Sequence, residues 1–256
     1  MNIPSLLEML KAGVHFGHRT SKWHPSMEPF IFGERSGVHI VNLEITQKKM
    51  EEAAEYLRKL GMEGGTLLFV GTKKQAQASI KAKATECGMP YVSERWIGGT
   101  LTNFGTVRKR VERFMDLLKK RETGELKKYT KREQNEFGKE IEDLRRKFEG
   151  LVKLDKMPTA IFIMDIKTEK TALQEAAKKN IPVIAVCDTN VNIGGVKYVI
   201  PANDDAVKSV AMMVDFVAEA FRDGQNLQGA REQVKKMEEE KQKKESGITN
   251  KESGNP

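Results

Sequence analysis

Three short apolar runs, at residues 67–70, 161–164 and 183–186, limit the possible folds of this chain more than any other feature. None of them alternates apolar with polar residues. A strand with one face in water does alternate, so a continuous apolar run indicates a strand that is covered on both faces. Helix-like segments separate the runs. This order predicts an α/β fold with a doubly wound, mostly parallel sheet, of Rossmann-like or flavodoxin-like type.

The other segments continue this alternation. Helices are predicted at residues 5–11, 47–60, 74–87, 169–179 and 205–222, and further strands at 38–42, 91–93 and 198–200. Residues 13–37 contain three of the four histidines together with aromatic and proline residues. This composition predicts an irregular but ordered loop that docks on the domain.

Two heptad-patterned segments interrupt the α/β pattern. Apolar residues recur in both at spacings of three and four, as in a coiled-coil seam. The seams are Val107, Val111, Phe114 and Leu118 in the first segment, and Phe137, Ile141, Leu144, Phe148 and Leu151 in the second. A break follows at residues 123–125, and Thr130 with Glu133 matches a capping box that starts a new helix. An antiparallel α-helical coiled-coil hairpin is therefore predicted.

The pattern divides the chain into three parts. Residues 1–104 and 157–224 form a discontinuous α/β domain, and residues 105–156 form the coiled-coil hairpin insertion. Residues 225–256 contain few large apolar side chains and are almost wholly charged between 235 and 245. Such a segment cannot bury a core, so a charged, disordered tail is predicted.

Positive charge is concentrated in the hairpin. Residues 105–156 hold 17 Lys and Arg against 11 Asp and Glu, which is +6 of the formal net charge of +8. Because the seams use the apolar residues, the cations face outward, as suits a polyphosphate partner. The alternative is that Lys and Glu merely solvate long helices. Cationic clusters at 108–110, 119–121 and 145–147 favour a binding arm.

Composition excludes several other classes. No apolar run reaches the roughly 18 to 20 residues of a membrane span, and the first residues lack a secretory signal pattern. Cys87 and Cys187 fit neither a zinc site nor a disulfide framework, which favours buried thiols in a reducing compartment. A cytoplasmic protein with no membrane partner is expected.

Small-molecule chemistry has weak support. The loop at residues 71–74 follows a strand and opens a helix, but neither a G-x-G-x-x-G nor a Walker sequence is present, so a phosphate of nucleic acid suits it equally. Gly98 and Gly99 are interpreted as a sharp junction with Trp96 packed beneath it. Trp23, Phe30 and Trp96 could stack on bases, but core packing is favoured.

A metal site and catalysis are also weighed. His15 and His18, with Asp188, Asp204 and Asp205, could bind a metal if the fold brought them together. Histidines in such loops more often only form hydrogen bonds, so no metal and no cofactor are predicted. No nucleophile motif is present, so no catalytic residue is assigned. Asp204 is interpreted as a helix cap.

The candidate RNA-binding residues are cations of the body and of the hairpin. They are Arg19, Lys22, Lys73, Lys74, Arg95, Arg108, Lys109, Arg110, Arg113, Lys119, Lys120, Arg121, Lys131, Arg132, Arg145, Arg146 and Lys147.

Five sequence blocks resemble a known family when taken in order. They are GVHFGH at 13–18, PFIFG at 29–33, FVGTK at 69–73, RWIGGTLTN at 95–103 and IPANDDA at 200–206. Together they closely resemble the bacterial family of small-subunit ribosomal protein number two, from about residue 5 to residue 224. The block at 95–103 is the most specific of the five.

The resemblance implies a Rossmann-like sheet with an inserted coiled-coil hairpin and no catalytic activity. It implies a position between the head and the body of the small subunit, contacts with ribosomal RNA, and a late step in assembly. It also implies a part in docking the largest small-subunit protein, which captures messenger RNA. One difference is visible at 191–195, where VNIGG replaces the common Asp-Pro-Asp run. Polar or metal contacts of those acids are therefore in doubt.

Two other hypotheses remain. A sugar-phosphate or nucleotide enzyme would use the same sheet and bind a small phosphorylated substrate. A hairpin that pairs with a partner helix is disfavoured because the seam is already used internally. A structural RNA-binding protein of translation, without a small-molecule substrate, is the leading hypothesis.

Overall fold

The computed structural model describes residues 3–252, and the side chains of residues 3–230. Its strands are β1 (Phe16–Arg19), β2 (Ile31–Arg35), β3 (Val38–Val41), β4 (Leu67–Val70), β5 (Tyr91–Val92), β6 (Ala160–Ile163), β7 (Val183–Cys187) and β8 (Tyr198–Pro201). Its α-helices are α1 (Leu6–Ala12), α2 (Leu43–Met62), α3 (Lys74–Glu86), α4 (Phe104–Glu122), α5 (Lys131–Phe148), α6 (Lys170–Lys178) and α7 (Val207–Glu252). Short 3-10 helices lie at Thr20–Lys22, Pro25–Phe30, Glu125–Lys128 and Glu149–Leu151.

The central sheet has five strands in the order β5-β4-β6-β7-β8, and every neighbouring pair is parallel. Numbered within the sheet, this order is 2-1-3-4-5, the flavodoxin-like arrangement, whose order reverses between β4 and β6. The predicted doubly wound α/β class is confirmed.

Both faces of the sheet are buried, as the continuous apolar runs predict. Leu67, Phe69 and Phe162 join one core cluster with residues of α2, α3 and α7. Leu68 and Ile161 face the other cluster, which includes residues of α6 and of the hairpin. Consecutive strand residues therefore feed opposite cores, which is why no polar residue interrupts the strands.

The segment at 13–37 differs from the predicted irregular loop. It contributes β1 and β2 to a three-stranded antiparallel sheet of order β1-β3-β2. Both pairings contain a register shift, and the strands are short, so no clean alternation marks them in the sequence. The predicted docking is confirmed, because the His24 N–H donates to Thr189 O at 2.9 Å and the Ser26 hydroxyl donates to Val191 O at 3.2 Å.

Helices α4 and α5 pack against each other as a hairpin. Thr130 and Glu133 form the predicted capping box, and Gly124 adopts a left-handed φ of 78° in the connection. Leu117 is buried at 1% exposure, whereas the predicted seam residue Leu118 is only partly buried. The other predicted seam residues are buried or partly buried. Coiled-coil geometry in the strict sense stays a prediction, as do the domain boundaries.

The last helix begins and ends differently from the predicted one. Asn203, not Asp204, supports its start, since the Asn203 Oδ1 accepts the N–H groups of Asp205 and Ala206 at 2.8 and 3.1 Å. The backbone of α7 continues well past the predicted end at residue 222. Gln225 helps to hold it there, because its Nε2 donates to Cys87 O at 3.2 Å. Part of the predicted disordered tail lies outside the described residues: the side chains after residue 230, and residues 253–256 entirely.

Within the described residues, no helix combines the length and apolar character needed to cross a membrane. Cys87 and Cys187 are both free and buried, as predicted.

Candidate nucleic-acid interface

The candidate cations of the hairpin divide into those with and those without an ion-pair partner inside the chain. Six of the twelve candidates on it form ion pairs inside the chain: Arg108, Arg113, Lys120, Arg132, Arg145 and Lys147. The other six have no ion-pair partner among the residues whose side chains are described: Lys109, Arg110, Lys119, Arg121, Lys131 and Arg146. All six are exposed. The predicted outward-facing surface is therefore half neutralised and half free.

Most of the paired cations are bound weakly. Arg132 and Lys147 pair with acids one helical turn away on the same helix, and their acidic partners are exposed. Exposed pairs of this kind are screened by salt and add little stability, so a phosphate can displace the acid. Arg108 is different, because it pairs with Asp155 at 2.7 Å and donates to Leu154 O at 3.2 Å. It ties the base of the hairpin together.

Four candidate cations of the body are exposed and lack an ion-pair partner in the part of the chain with described side chains. They are Arg19, Lys22, Lys74 and Arg95. Lys73 does not belong with them. Its Nζ lies 2.9 Å from Asp204, 2.5 Å from Asp205 and 3.5 Å from Asp165. Burial alone would lower the pKa of Lys73, but hydrogen bonds to Asp205 and Asp204 raise it, so the ammonium stays charged.

The acids around Lys73 lie at the carboxyl ends of the parallel strands, the edge where doubly wound proteins bind ligands. Asp165 follows β6, Asp188 follows β7 and Asp204 follows β8 closely. All three are buried. In this chain an internal ion cluster occupies part of that edge.

Part of the predicted metal set is assembled there. His18, Asp188 and Asp204 place one possible ligand atom each within 4.8 Å of one another. His18 Nδ1 lies 3.1 Å from Asp188, and its Nε2 lies 3.4 Å from Asp205. His15 is not in that group, and its buried Nδ1 has no hydrogen-bond partner among the described residues.

The carboxylates of the cluster are offset in part by Lys73 and His18. The hydrogen bond to Asp188 raises the pKa of His18, against the effect of burial. Burial, with Asp165 and Asp188 nearby, raises the pKa of Asp204 to about 7. Lys73 and His18 thus both contact these carboxylates. That no metal is needed stays a prediction.

The loop at 71–74 holds a carboxylate of the chain itself. The Thr72 N–H donates to Glu169 Oε1 at 2.8 Å, and Glu169 is buried at 3% exposure. Burial and the neighbouring Asp165 raise the pKa of Glu169, while the Thr72 hydrogen bond opposes the rise. This N–H is one that a phosphate would use before α3, so Glu169 competes with a small anionic ligand there. Only its position after a buried strand could have indicated Glu169.

The block at 95–103 is fastened by a residue that the sequence prediction missed. Glu175 on α6 accepts hydrogen bonds from Trp96 Nε1 at 3.1 Å, from the backbone N–H groups of Gly99, Leu101 and Thr102 at 2.7 to 3.0 Å, and from the Thr102 hydroxyl. Burial would raise the pKa of Glu175, but these donors lower it. An acid beside Ala172 and Ala176, on the apolar face of α6, was the available signal.

The prediction that the aromatic side chains pack in the core holds for two of the three residues. Trp96 is buried at 8% exposure beneath the junction, as predicted, and Phe30 packs partly buried against the hairpin-side core. Trp23 is 38% exposed, so its predicted burial is wrong. Its ring lies against His39 of the small sheet, at 5.6 Å between centroids. A surface indole is available for stacking.

Comparison with known proteins identifies the family of this chain. The family model described as "Ribosomal protein S2" matches residues 9–224. The small ribosomal subunit protein uS2 of Fusobacterium nucleatum subsp. nucleatum is 46% identical over 225 residues, covering 88% of this chain and 91% of that protein. Proteins of this family are structural, non-enzymatic constituents of the small ribosomal subunit and act in translation. The match spans the sheet domain and the hairpin, so this chain belongs to the ribosomal protein S2 family.

Proposed function

We propose that this protein binds ribosomal RNA at the junction of head and body in the small subunit. The hairpin supplies the main contacts, through its phosphate-facing lysines and arginines. The six exposed cations without an internal partner carry this proposal, because a merely solvated helix pair would intersperse acids with all of its cations. Phosphate contacts give affinity and orientation but little sequence information, so the recognition is of RNA shape.

The protein then positions its neighbours. A rigid body with an anchored hairpin offers a fixed surface for other small-subunit proteins. Following the family resemblance, we include the largest of them, which captures messenger RNA. On this proposal the protein works in the cytoplasm, needs no cofactor and has no membrane partner.

Salt dependence tests the RNA contact. The measurement is the binding of the full chain to small subunits that lack this protein, by sedimentation at increasing salt. If about six phosphates are neutralised, the association constant falls roughly a thousandfold between 50 and 200 mM salt. An association constant that hardly changes with salt contradicts the proposal.

Charge variants locate the contact. Lys109→Gln with Arg110→Gln, and Lys119→Gln with Arg121→Gln, each remove two exposed cations of the hairpin. Each pair lowers the salt slope by about 1.5, because each phosphate contact contributes roughly 0.7 to 0.9. Lys11→Gln with Lys48→Gln removes the same charge from α1 and α2 and leaves the slope unchanged.

A further inference from the structure

A cleft of about 290 Å³ lies where the hairpin meets the body. One wall is the exposed face of α3, with Lys74, Ala78 and Lys81. The opposite wall is the last turn of α5, with Arg145, Arg146 and Lys147 among its lining residues. The end of β5 forms the floor.

The cleft is strongly cationic. Five lysines and arginines line it against two acids, Glu94 and Glu149. Lys81 pairs with Glu149 at 2.7 Å, while Lys74 and Arg146 lack an ion-pair partner among the described side chains. Two free cations from separate elements of the fold thus line the same cleft.

The two walls meet at the base of the hairpin. Gly150, just after α5, lies so close to β5 that a Cβ there would be 2.1 Å from the Tyr91 carbonyl oxygen. Glu149 beside it accepts from Lys81 on α3 and, at 3.5 Å, from the Tyr91 hydroxyl. This close packing at Gly150 places the base of the hairpin directly against the sheet. The cleft is therefore present before any ligand binds.

We infer that this cleft binds a phosphodiester segment of RNA, so that one RNA strand contacts α3 and α5 together. The inference rests on the proposed function and goes further, because it names the place where the RNA passes from the hairpin to the body. Arg146 can hold a phosphate with two parallel hydrogen bonds, and Lys74 and Lys81 add point charges. The cluster at 145–147 continues the cationic surface of the hairpin into the cleft. An RNA strand can follow that surface, whereas an acidic protein segment would meet it only locally.

A consequence concerns orientation. RNA that contacts both walls fixes the direction of the hairpin relative to the sheet domain. Binding to the small subunit would then depend on the angle between the hairpin and the sheet domain as well as on the charge of the protein.

The first experiment measures phosphate contacts. The variant Lys74→Gln with Arg146→Gln keeps a polar side chain at both positions and removes the two free cations of the cleft. In sedimentation with small subunits lacking this protein, its salt slope falls by about 1.5 relative to the unmodified chain. The pair Lys11→Gln with Lys48→Gln serves as the charge-matched control and leaves the slope unchanged. Thermal unfolding checks that both variants keep the fold.

The second experiment identifies the occupant. Ala78 is exposed in the cleft, and the two native cysteines are buried, so Ala78→Cys can carry a photoreactive label at one site. Cross-links from the labelled full chain in the small subunit are expected on ribosomal RNA. The same label at Glu55→Cys, on the exposed face of α2, is the control and gives a different set of cross-links.

The outcomes separate the two claims. If the hairpin pairs lower the salt slope but the cleft pair does not, the inference is wrong and the proposed function stands. If neither lowers it, the proposed function itself fails. Cross-links from position 78 to a protein alone overturn the choice of RNA as the occupant.

Discussion

The indole Nε1 of Trp96 lies 3.1 Å from a carboxylate oxygen of Glu175, and this hydrogen bond joins the start of the hairpin to helix α6. Both residues are buried. The same carboxylate receives three backbone N–H groups of the Gly99–Thr102 turn. One acidic side chain therefore determines how the hairpin leaves the sheet domain.

Removal of Glu175 should destabilise the fold strongly. Glu175→Ala leaves buried donors without partners, each costing about 1–3 kcal/mol, so a loss of roughly 3–5 kcal/mol in the free energy of unfolding is expected. Glu175→Gln retains one accepting oxygen and should lose less. Urea unfolding measures both, with Trp96 fluorescence followed in a Trp23→Phe background. Equal stability of Glu175→Ala and the unmodified chain would contradict this role.

The lowered pKa of Glu175 predicts loss of stability in acid. The folded state binds the Glu175 proton less readily than the unfolded state does. Its contribution is therefore present above the unfolded pKa, near 4.3, and disappears as the pH falls through the folded pKa. Unfolding free energies between pH 6 and pH 3 should fall less steeply for Glu175→Gln than for the unmodified chain.

Neighbouring lysines should behave in opposite ways. Lys73→Ala leaves Asp165 and Asp204 buried without their cation, and we expect a loss of about 3–5 kcal/mol in stability. Lys74→Ala removes an exposed cation and should change stability by less than about 0.5 kcal/mol while weakening binding to the small subunit. Urea unfolding with subunit sedimentation distinguishes the two, and the reverse pattern would exclude the cluster as a structural element.

Gly17 is required where the small sheet docks. A Cβ there would lie 2.6 Å from Thr189 Cγ2, while the His18 N–H donates to Thr189 Oγ1 at 2.9 Å. Gly17→Ala should destabilise the chain, and Thr189→Ala should relieve part of the clash. In a double-mutant cycle we expect the double variant to be more stable than the sum of the single losses implies. Simple additivity would mean that the two residues do not meet.

His18 should titrate above its ordinary pKa. Asp188 favours the imidazolium, so this contribution to stability is present below the unfolded pKa, near 6.5, and is lost as the pH rises through the folded pKa. The His18 ring proton signal, followed by NMR against pH, measures the shift. Asp188→Asn should move the pKa of His18 downward; an unchanged titration would contradict the assigned contact.

Leu117 and Leu118 provide a matched pair in the hairpin. Leu117→Ala should cost about 2–5 kcal/mol because its side chain is buried at 1% exposure, and Leu118→Ala should cost clearly less. Hydrogen exchange of the α4 amides would show whether the loss is confined to the hairpin. Equal losses would favour the predicted seam over the observed one.

The sequence by itself determined the α/β class, the parallel sheet, the hairpin insertion and its positive charge. These follow from local regularities: uninterrupted strands such as residues 67–70 must be buried on both faces, and the spacing of Val107, Val111 and Phe114 defines a helix face. The five sequence blocks that resemble one family also predicted that the chain belongs to it, and the comparisons confirm this.

Only the tertiary structure decided which polar side chains meet. Lys73 and Asp204 are 131 residues apart in the chain, yet they are joined by a 2.9 Å contact because parallel strands end at one edge. The pairing of β1 with β3, the choice of Leu117 over Leu118, and the contact of Glu175 with Trp96 likewise depend on long-range packing. Spacing along the chain carries no record of such distances, because they arise only when separate elements are brought together.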